Sequence, residues 1–510
     1  MGRISSGACS LTTAELNERA ARAGSAFASI GVQAGDTVAL CLRNELIYFE
    51  ANFGASLLGA YPVAVNWHYT EDEARYIFED CGAKVLVIHA DLLTDFIRRA
   101  IPKDVAVLVA PTPPEVAGAY GVPPGGVPAG ETDFGHWILG FEPMAPKTQG
   151  ASTIIYTSGT TGRPKGVRRP PATPEQIQLS GAILRRCYGF DLDTPDTITT
   201  VTVGPLYHSA PNAHGSMAAR IGANLIIQPR FDAEDLLRLI EEERVTNLNM
   251  APIMFNRLLR LPAEVKRRYD LSSLKFVAHA AAPCPPPLKR AMIDWWGPII
   301  NEYYGSTEMG NVTFCTAQQW LAHPGTVGKP FPEADVRVID RDLNEVPVRE
   351  VGEVVGRIRG LVDFTYHGDD EKRRRVEKRG LIAPGDVGYF DEDGFLYLCD
   401  RANDMIISGG VNIYPAEIEA ELHKMPEVAD CAVFGIPDEE YGEAICAVVQ
   451  PSPGVKVAAG EVQAFLRERM AGFKVPRRVE FQAELPREDS GKIFKRKLRE
   501  PFWAGMERRI

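Results

Sequence analysis

Short apolar segments alternate with longer amphipathic ones along most of this chain. Segments of strand length include VLVIHA, VAVLVA, TITTVTVG, NLIIQPR and LKFVAHA. Other segments, such as DAEDLLRLIEEERV, place apolar residues every three or four positions, which is the spacing of an amphipathic helix, with Asp232 as the expected N-cap. Strands that alternate with helices favour a parallel sheet covered by helices. The pattern therefore predicts an α/β fold.

The chain of 510 residues is long enough for more than one hydrophobic core, and its pattern changes towards the end. From about residue 335, short alternating runs such as VRVID and GFLYLC are separated by Gly and Asp. After Arg401, helix and strand candidates follow in βαβ-like order. We predict a large N-terminal body of parallel α/β sheets plus a small antiparallel β unit over residues 1–402, and a small, mobile α+β lobe over residues 403–510.

Local signals predict one early helix and one long loop. The segment LTTAELNERAARAGSAFASIG has helical periodicity, with Thr12 or Thr13 as its N-cap and Gly31 at its end. Residues 111–130 are rich in proline and glycine, which predicts an irregular surface loop.

Charge and cysteine usage narrow the class of protein. The chain has 56 basic and 67 acidic residues, a net charge of −11, which disfavours nucleic acid as the main partner. Its nine cysteines are scattered without metal-ligand spacing, which indicates reduced thiols. No run approaches the roughly 18 apolar residues of a membrane span. We expect a soluble cytoplasmic protein. The last forty residues, with 11 basic and 6 acidic side chains, favour a phosphorylated partner.

The strongest local motif is YTSGTTGRPKG, which spans residues 156–166 and directly follows the apolar run STII. Its glycines let the backbone turn sharply with N–H groups facing one cavity, and its four hydroxyls add donors. Such a loop fits phosphate oxygens, although its spacing differs from that of the Walker P-loop. The candidate phosphate-binding residues are Thr157, Ser158, Gly159, Thr160, Thr161, Gly162 and Lys165.

This motif resembles the phosphate loop of the adenylate-forming superfamily, which comprises acyl-CoA synthetases, luciferases and peptide-synthetase adenylation domains. Later motifs of that superfamily have counterparts in the same order over nearly the whole chain. They are NEYYGSTEMG (Asn301–Gly310), PGDVGYFDEDGFLYLCDR (Pro384–Arg401), DRANDMIISGGVNIYPAEIE (Asp400–Glu419) and PREDSGKIFKRKL (Pro486–Leu498).

The resemblance implies an ATP site with a magnesium ion. Glu308 stands beside Ser306 and Thr307, and a carboxylate with hydroxyls on one short turn suits Mg²⁺ and phosphate oxygens. Thr307 and Glu308 are therefore candidate catalytic residues, with Glu308 as the metal ligand. Either of two adjacent tyrosines can stack on adenine, and core packing is the alternative for one of them. The candidate nucleoside-binding residues are Glu302, Tyr303, Tyr304, Gly305, Asp386 and Arg401.

For the C-terminal lobe, the resemblance implies a two-step reaction with CoA as the second substrate. Lys492 bridges the carboxylate and the α-phosphate in the first step. The lobe then rotates about Asn403, and a small-residue loop lines a channel for the thiol. Departures from the family pattern near Tyr441 and Lys474 put CoA affinity in question more than adenylation. The candidate CoA-binding residues are Ser408, Gly409, Gly410, Tyr441, Phe473 and Lys474.

The acyl pocket is expected between PLYHSAPNAHG, HAAAPCP and the run after Glu308. His208 is the candidate imidazole near the substrate carboxylate, whereas His214 and His279 are interpreted as structural. These segments carry no Arg, Lys or Asp, so an apolar acid is expected, of fatty, alicyclic or steroid-like type. The segment HAAAPCP with DWWGPIINEYYGSTE is most similar to synthetases for fatty and bile-acid-type acids. The candidate pocket residues are Tyr207, His208, Ala280, Ala281, Ala282 and Gly310.

Several alternatives stay open at this point. An aryl-CoA ligase, an enzyme that loads a carrier protein, a luciferase-type oxygenase and a non-catalytic acyl-nucleotide sensor share these motifs. A sensor is disfavoured because both Lys492 and Glu308 are in place. The identity of the acid and the oligomeric state, with a homodimer among the options, are not fixed by the sequence.

Overall fold

A computed structural model of the chain describes residues 2–146, 150–157, 164–401, 404–408, 411–438, 440–487 and 493–504. Its strands are β1 Arg3–Ser6, β2 Cys9–Thr12, β3 Thr37–Cys41, β4 Tyr61–Ala64, β5 Ala83–His89, β6 Ala106–Ala110, β7 Thr132–Asp133, β8 Ile154–Thr157, β9 Lys165–Arg168, β10 Thr199–Thr202, β11 Asn224–Ile227, β12 Asn247–Met250, β13 Phe276–His279, β14 Ile300–Ser306, β15 Gly310–Cys315, β16 Lys329–Pro330, β17 Ala334–Ile339, β18 Gly352–Ile358, β19 Thr365–Tyr366, β20 Glu377–Lys378, β21 Leu381–Ile382, β22 Asp386–Phe390, β23 Leu396–Arg401, β24 Ile406–Ser408, β25 Val411–Ile413, β26 Val428–Asp438, β27 Gly442–Pro451 and β28 Arg478–Phe481.

The helices lie between these strands. They are α1 Thr13–Ser29, α2 Leu46–Leu58, α3 Glu71–Asp80, α4 Asp95–Ala100, α5 Pro114–Tyr120, α6 Phe134–Trp137, α7 Pro174–Tyr188, α8 Ser209–Ile221, α9 Ala233–Glu242, α10 Pro252–Leu259, α11 Ala263–Lys266, α12 Pro286–Trp296, α13 Ala317–Ala322, α14 Asp370–Arg375, α15 Pro415–Leu422, α16 Ala459–Arg467 and α17 Lys495–Arg499.

Two large sheets form the N-terminal body. One has the strand order β19-β9-β8-β4-β3-β5-β6-β7, and the other has the order β16-β15-β14-β13-β12-β10-β11-β1-β2. Their central strands run parallel, as in the pairs β3–β4 and β12–β13, while antiparallel pairs such as β8–β9 and β14–β15 lie towards their ends. The parallel centre confirms the α/β fold that the alternating sequence pattern predicts.

The two smaller predicted units are also present. Strands β17, β18 and β20–β23 form an antiparallel sheet that begins at Ala334, close to the predicted start at residue 335. The C-terminal sheet has the order β25-β24-β27-β26, with β28 parallel to β27 across α16, which is a βαβ unit. This mixed architecture confirms the predicted fold class. The border at residues 402 and 403 lies outside the described residues and stays a prediction.

The predicted helix starts follow capping chemistry. The Thr12 side chain accepts the N–H of Glu15 at 3.2 Å, and the Glu15 carboxylate accepts the N–H of Thr12 at 2.7 Å, which is a capping box for α1. The Asp232 carboxylate accepts the N–H of Asp235 at 2.8 Å and caps α9. Both predicted caps are confirmed.

The predicted irregular loop over residues 111–130 is wrong in part, because α5 occupies Pro114–Tyr120. Proline fits the first turn of a helix, where its missing N–H has no partner in any case. Gly121 then ends the helix in the left-handed region with φ +65°. Proline and glycine therefore mark the two ends of a helix here rather than a continuous loop.

No disulfide joins the nine cysteines, all of which lie in the described ranges, and six of them are buried. The expectation of reduced thiols stays a prediction. Within the described ranges, no helix has both the length and the apolar character that a membrane crossing requires.

The fold places several chain turns at one edge of the second sheet. Parallel strands β10, β12, β13 and β14 all end at that edge. The residues that directly follow three of them, Ala251, Ala280 and Thr307, line one large cleft. Ligands of α/β proteins commonly bind at the carboxyl ends of parallel strands. Many of the described candidate residues line the same cleft.

Candidate active site

The central cleft has a volume of about 3500 Å³ and is lined by residues of the N-terminal body and of the C-terminal lobe. At its margin, the Arg260 guanidinium donates a hydrogen bond to the Ala429 carbonyl, which links α10 to β26. Many sequence-predicted residues line this cleft, namely Thr157, Tyr207, His208, Ala280, Ala281, Ala282, Glu302, Tyr303, Tyr304, Gly305, Thr307, Glu308, Gly310, Asp386, Phe473 and Lys474.

The candidate phosphate loop connects two antiparallel strands. Thr157 ends β8 and pairs with Lys165, the first residue of β9. The Lys165 ammonium forms an ion pair with Asp369, a residue that the sequence did not single out. The predicted residues Ser158, Gly159, Thr160, Thr161 and Gly162 lie outside the described residues, so their role stays a prediction.

Thr307 and Glu308 sit on the tight turn between β14 and β15. Gly305 has no space for a side chain, because a Cβ there would lie 2.1 Å from the Gly310 carbonyl oxygen. Gly310 itself has φ +83°, which favours glycine. The two glycines therefore let the hairpin close tightly enough to present both candidate catalytic residues to the cleft.

The guanidinium of Arg169 forms hydrogen bonds with the backbone of this turn. It donates to the carbonyls of Thr307 at 2.9 Å and Glu308 at 2.8 Å, and to that of Val362 at 2.6 Å. These contacts satisfy backbone acceptors of the turn and place a positive charge beside the Glu308 carboxylate. Arg169 was not predicted from the sequence, because its partners lie far along the chain.

A phenol completes the surroundings of the Glu308 carboxylate. The Tyr366 hydroxyl donates to Glu308 Oε1 at 3.1 Å. Burial and the neighbouring Glu308 charge raise the pKa of Tyr366, so the phenol stays protonated and remains a donor at neutral pH. Because this contact uses one carboxylate oxygen, Oε2 remains for a cation, and the adjacent residue Thr307 also lines the cleft. This donor set of carboxylate and hydroxyl oxygens fits Mg²⁺.

Two candidate nucleoside-binding residues, Tyr304 and Asp386, are 82 positions apart in the sequence and contact each other in the fold. The Tyr304 hydroxyl donates to Asp386 Oδ2 at 2.7 Å. Asp386 begins β22, and its Cα partner on β23 is Arg401, whose side chain lies outside the described atoms. The sequence motifs named all three residues for the same nucleoside, and the fold makes them neighbours.

Glu302 and Tyr303 have different neighbours. The Glu302 carboxylate is 2.7 Å from the ammonium of Lys289, a residue of α12 with no solvent exposure, and 3.4 Å from His279 Nε2. Burial raises the pKa of Glu302, and Lys289 opposes that shift. Tyr303 is buried and donates to Asn249 Oδ1 at 3.1 Å. Of the two tyrosines, Tyr303 therefore packs in the core and Tyr304 contacts Asp386.

His208, a candidate residue of the acyl pocket, stands at the N-cap position of α8 and lines the cleft. Its ring lies 4.5 Å from that of Tyr207, which in turn packs edge-on against Trp67 at the same centroid distance. The neighbouring wall contains Ala281, whose φ of +74° is unusual for a residue with a side chain. Small residues at this position keep the wall close to backbone.

The two other histidines are structural, as interpreted from the sequence. His214 is buried, with Nε2 3.1 Å from the Thr200 hydroxyl, and burial lowers its pKa to about 3. His279 is fully buried, and burial together with the Lys289 charge holds its pKa well below the usual range. Both imidazoles are therefore neutral at physiological pH.

The described CoA candidates lie on separate turns of the C-terminal lobe. Ser408 ends β24. The Arg477 guanidinium stacks 4.2 Å above the Tyr441 ring, and Phe473 is 56% exposed. Lys474 forms an ion pair with Glu417 at 2.6 Å. The predicted residues Asn403, Gly409, Gly410 and Lys492 lie outside the described residues.

The structure adds two side chains to the lining of the cleft that sequence reasoning missed. Tyr188 and Asn249 both line the cleft beside Tyr303. Asn249 lies in NLNM, where polar residues alternate with apolar ones in a buried strand. That alternation was the available signal, because a buried polar side chain needs a partner.

Comparisons with known proteins agree with the fold. The family model described as AMP-binding enzyme matches residues 3–362, and the one described as AMP-binding enzyme C-terminal domain matches residues 417–492. The chain is 33% identical to a feruloyl-CoA synthase of Amycolatopsis sp, covering 97% of this chain and 95% of that protein.

Two further likenesses have similar extent. A ligase of Rhodococcus jostii, named 3-[(3aS,4S,7aS)-7a-methyl-1,5-dioxo-octahydro-1H-inden-4-yl]propanoyl:CoA ligase, is 32% identical over 98% of this chain and 95% of its own. The crystal structure of ATP-bound MatB from Rhodopseudomonas palustris superimposes with a TM-score of 0.82 at 26% identity, covering 98% of this chain and 96% of that one. The chain belongs to the AMP-binding enzyme family and, within it, to the adenylate-forming CoA ligases.

Proposed function

We propose that this protein is an acid–thiol ligase that activates an apolar carboxylic acid as its acyl adenylate and then transfers the acyl group to CoA. The observation that carries the proposal is the contact of Tyr304 with Asp386 at 2.7 Å beside the Glu308 turn, at the mouth of an acyl pocket. The residues that we assign to the nucleoside, to magnesium and to the acid thus line one cleft.

In the first step, a carboxylate oxygen of the acid attacks the α-phosphorus of ATP. The bond from that phosphorus to the bridging oxygen breaks, and pyrophosphate leaves with the electron pair. We assign Tyr304, Asp386 and Arg401 to the nucleoside, and Thr157 with the following loop to the phosphates. Such residues accelerate the reaction by positioning the reactants and neutralising charge rather than by covalent chemistry.

We assign Glu308 as the residue that holds a magnesium ion, with Thr307 beside it. A bound Mg²⁺ supplies charge neutralisation at the phosphate oxygens. The chain's own contribution is to orient the carboxylate. Tyr366 does this through its hydrogen bond to Oε1, and Arg169 does it by fixing the backbone carbonyls of the turn.

In the second step, the sulfur of CoA attacks the acyl carbonyl carbon, and AMP leaves as the carbon–oxygen bond breaks. We place the border between the two units at residues 402 and 403, with Asn403 as the hinge and Ser408, Gly409 and Gly410 along the thiol path. Exposed Phe473 and the Arg477-stacked Tyr441 offer aromatic surfaces for a nucleotide. Lys474 is paired with Glu417, so it must break this ion pair before it can bind a phosphate.

The acid is proposed to be apolar, because the wall around His208 and Ala280–Ala282 is small and uncharged. The Rhodococcus ligase supports a ring-bearing acid, because its name specifies a propanoate on a fused ring with two oxo groups. A fatty acid is the alternative substrate, and a substrate panel distinguishes it from a ring-bearing acid.

The test is acid-dependent release of pyrophosphate by the purified protein with Mg·ATP and CoA, over a panel of fatty, aryl and alicyclic acids. We expect pyrophosphate with some of these acids, and acyl-CoA and AMP only when CoA is present. Absence of acid-dependent pyrophosphate with every panel member refutes the proposal.

Variants connect the activity with the proposed residues. Glu308→Gln should reduce pyrophosphate release at least tenfold, because the residue loses its charge for the metal. Glu345→Gln is the matched control, because Glu345 is exposed and pairs with Arg337 at the surface. Lys492→Ala should abolish adenylation while it retains thioester formation from supplied acyl adenylate, and equal loss of both steps contradicts a lobe that rotates.

A further inference from the structure

The acyl part of the central cleft contains a buried polar patch, formed by Asn249 on β12 and Tyr303 on β14. The exposed fraction is 7% for Asn249 and 4% for Tyr303, and both residues line the cleft. The two strands are separated by β13, and their side chains face the same side of the sheet as Ala280. The polar patch is therefore a built part of the pocket wall rather than a surface feature.

One hydrogen bond fixes the orientation of the Asn249 amide. The Tyr303 hydroxyl donates to Asn249 Oδ1 at 3.1 Å. Burial raises the pKa of Tyr303, so this phenol is protonated and acts as a donor at neutral pH. Tyr188 packs edge-on against Tyr303 with ring centroids 5.9 Å apart, which holds the Tyr303 ring in place. The carbonyl side of the amide is thus occupied.

The other side of the amide has no protein partner. Asn249 Nδ2 donates to no residue in the described ranges of the chain, although the side chain is more than nine-tenths buried. Nδ2 is not among the fully buried polar atoms that lack a partner, so it is open to the cleft. Because Asn249 lines the cleft, a ligand atom can supply the missing acceptor.

The remaining walls around this donor are apolar. Ile183 of α7, Ala213 and Met217 of α8, and Ala280 after β13 line the same cleft and pack with Tyr303 in one hydrophobic cluster. A single oriented donor in an apolar enclosure selects a ligand that is apolar except for one acceptor. A site built to hydrogen-bond a substrate oxygen rejects an analogue without that oxygen more strongly than an apolar pocket rejects a missing methylene.

We propose that the acid recognised by this protein carries a hydrogen-bond-accepting oxygen, such as a ring carbonyl or ether, on its apolar body, and that Asn249 Nδ2 binds this oxygen. Asn249 is then a specificity-determining residue, and Tyr303 is the positioning residue that keeps Nδ2 of the Asn249 amide directed towards the substrate oxygen. The inference rests on the proposed ligase function and narrows the substrate class of the same site.

Matched pairs of acids test the inference. One pair is 3-(4-oxocyclohexyl)propanoate and 3-cyclohexylpropanoate, and another is 3-(4-methoxyphenyl)propanoate and 3-(4-ethylphenyl)propanoate. The quantity measured is the ratio of kcat/KM for the oxygen-bearing acid to that for its partner, by pyrophosphate release. We expect a ratio of about ten or more for at least one pair in the unmodified protein, the effect of one good hydrogen bond.

Asn249→Leu keeps the shape of the side chain and removes the donor, so the ratio should fall to about one. Tyr303→Phe releases the amide from its partner, and we expect an intermediate ratio. This second variant keeps the inference testable where the leucine variant does not fold. Asn344→Leu, at an exposed turn between β17 and β18, is the matched control and should keep the full ratio.

The outcomes separate the inference from the function on which it rests. If no acid releases pyrophosphate, the proposed function fails. If acids react but both members of every pair react equally well in the unmodified protein, the inference is overturned while the function stands. A preference that survives in both Asn249→Leu and Tyr303→Phe also overturns it.

Discussion

The buried ion pair between Lys289 and Glu302 predicts a large and specific loss of stability in Lys289→Met. Lys289 on α12 has no exposed surface, and its ammonium lies 2.7 Å from Glu302 Oε2 and 5.1 Å from the Trp320 ring centroid. At that distance the attraction amounts to about 6 kcal/mol for an effective dielectric constant of about 20. Desolvation offsets part of it, so removing one partner should cost about 3–5 kcal/mol.

The cost should also depend on pH. Without Lys289, burial alone acts on Glu302 and raises its pKa further above the unfolded value. The folded variant then binds more protons than the unfolded chain, so its stability rises as pH falls. We therefore expect the difference between Lys289→Met and the unmodified protein to be smaller at pH 5 than at pH 8. Replacing both partners in Lys289→Met/Glu302→Leu should restore most of the loss.

Urea unfolding followed by tryptophan fluorescence measures these differences, because Trp296 and Trp320 are buried in the same core. Lys424→Met is the matched control, because that lysine is 46% exposed in its pair with Glu421 and should cost at most about 1 kcal/mol. The reasoning is refuted if Lys289→Met costs less than about 1 kcal/mol, or if the double variant is as unstable as the sum of its single changes.

Three further predictions address the nucleoside site, the backbone and acid stability. Tyr304→Phe removes the donor to Asp386 and should lower kcat/KM for ATP about tenfold in steady-state assays; an unchanged value contradicts the assigned contact. Ala281→Gly relieves a left-handed backbone and should raise the unfolding free energy by about 0.5–1 kcal/mol, whereas a loss contradicts the strain. His214 and His279 are neutral in the fold and charge on unfolding, so each should lower the unfolding free energy by roughly 2 kcal/mol between pH 7 and pH 5. In His214→Asn the unfolding free energy should therefore fall less steeply over this pH range, and an unchanged slope contradicts the assignment.

The sequence predicted the architecture well because its signals are local. Helix starts follow from caps such as Thr12 and Asp232, and the parallel sheets follow from alternating segments. The predicted loop over residues 111–130 failed for an equally local reason. Proline at the first turn and Gly121 at the end are compatible with a helix, so composition alone does not separate a loop from a short capped helix.

The sequence predicted those residues of the candidate site that lie within short contiguous motifs. The turn with Thr307 and Glu308 and the strand start at Asp386 were both named from short segments, and the fold brings them to one cleft. The partners Arg169 and Tyr366 were missed, because each contacts the turn from a separate part of the chain. Such contacts depend on sheet order, which residue spacing does not specify.

The motif NEYYGSTE shows why transferring a motif residue by residue has a physical limit. Side chains of a strand alternate between its two faces, so neighbours in sequence have different surroundings. Glu302 pairs with Lys289 of α12, whereas Tyr303 donates a hydrogen bond to Asn249 in the part of the cleft that we propose for the acid. The first contact bears on stability and the second on the choice of acid. One stretch of sequence therefore contributes side chains to both faces of the sheet, and the register of β14 determines the face on which each residue lies.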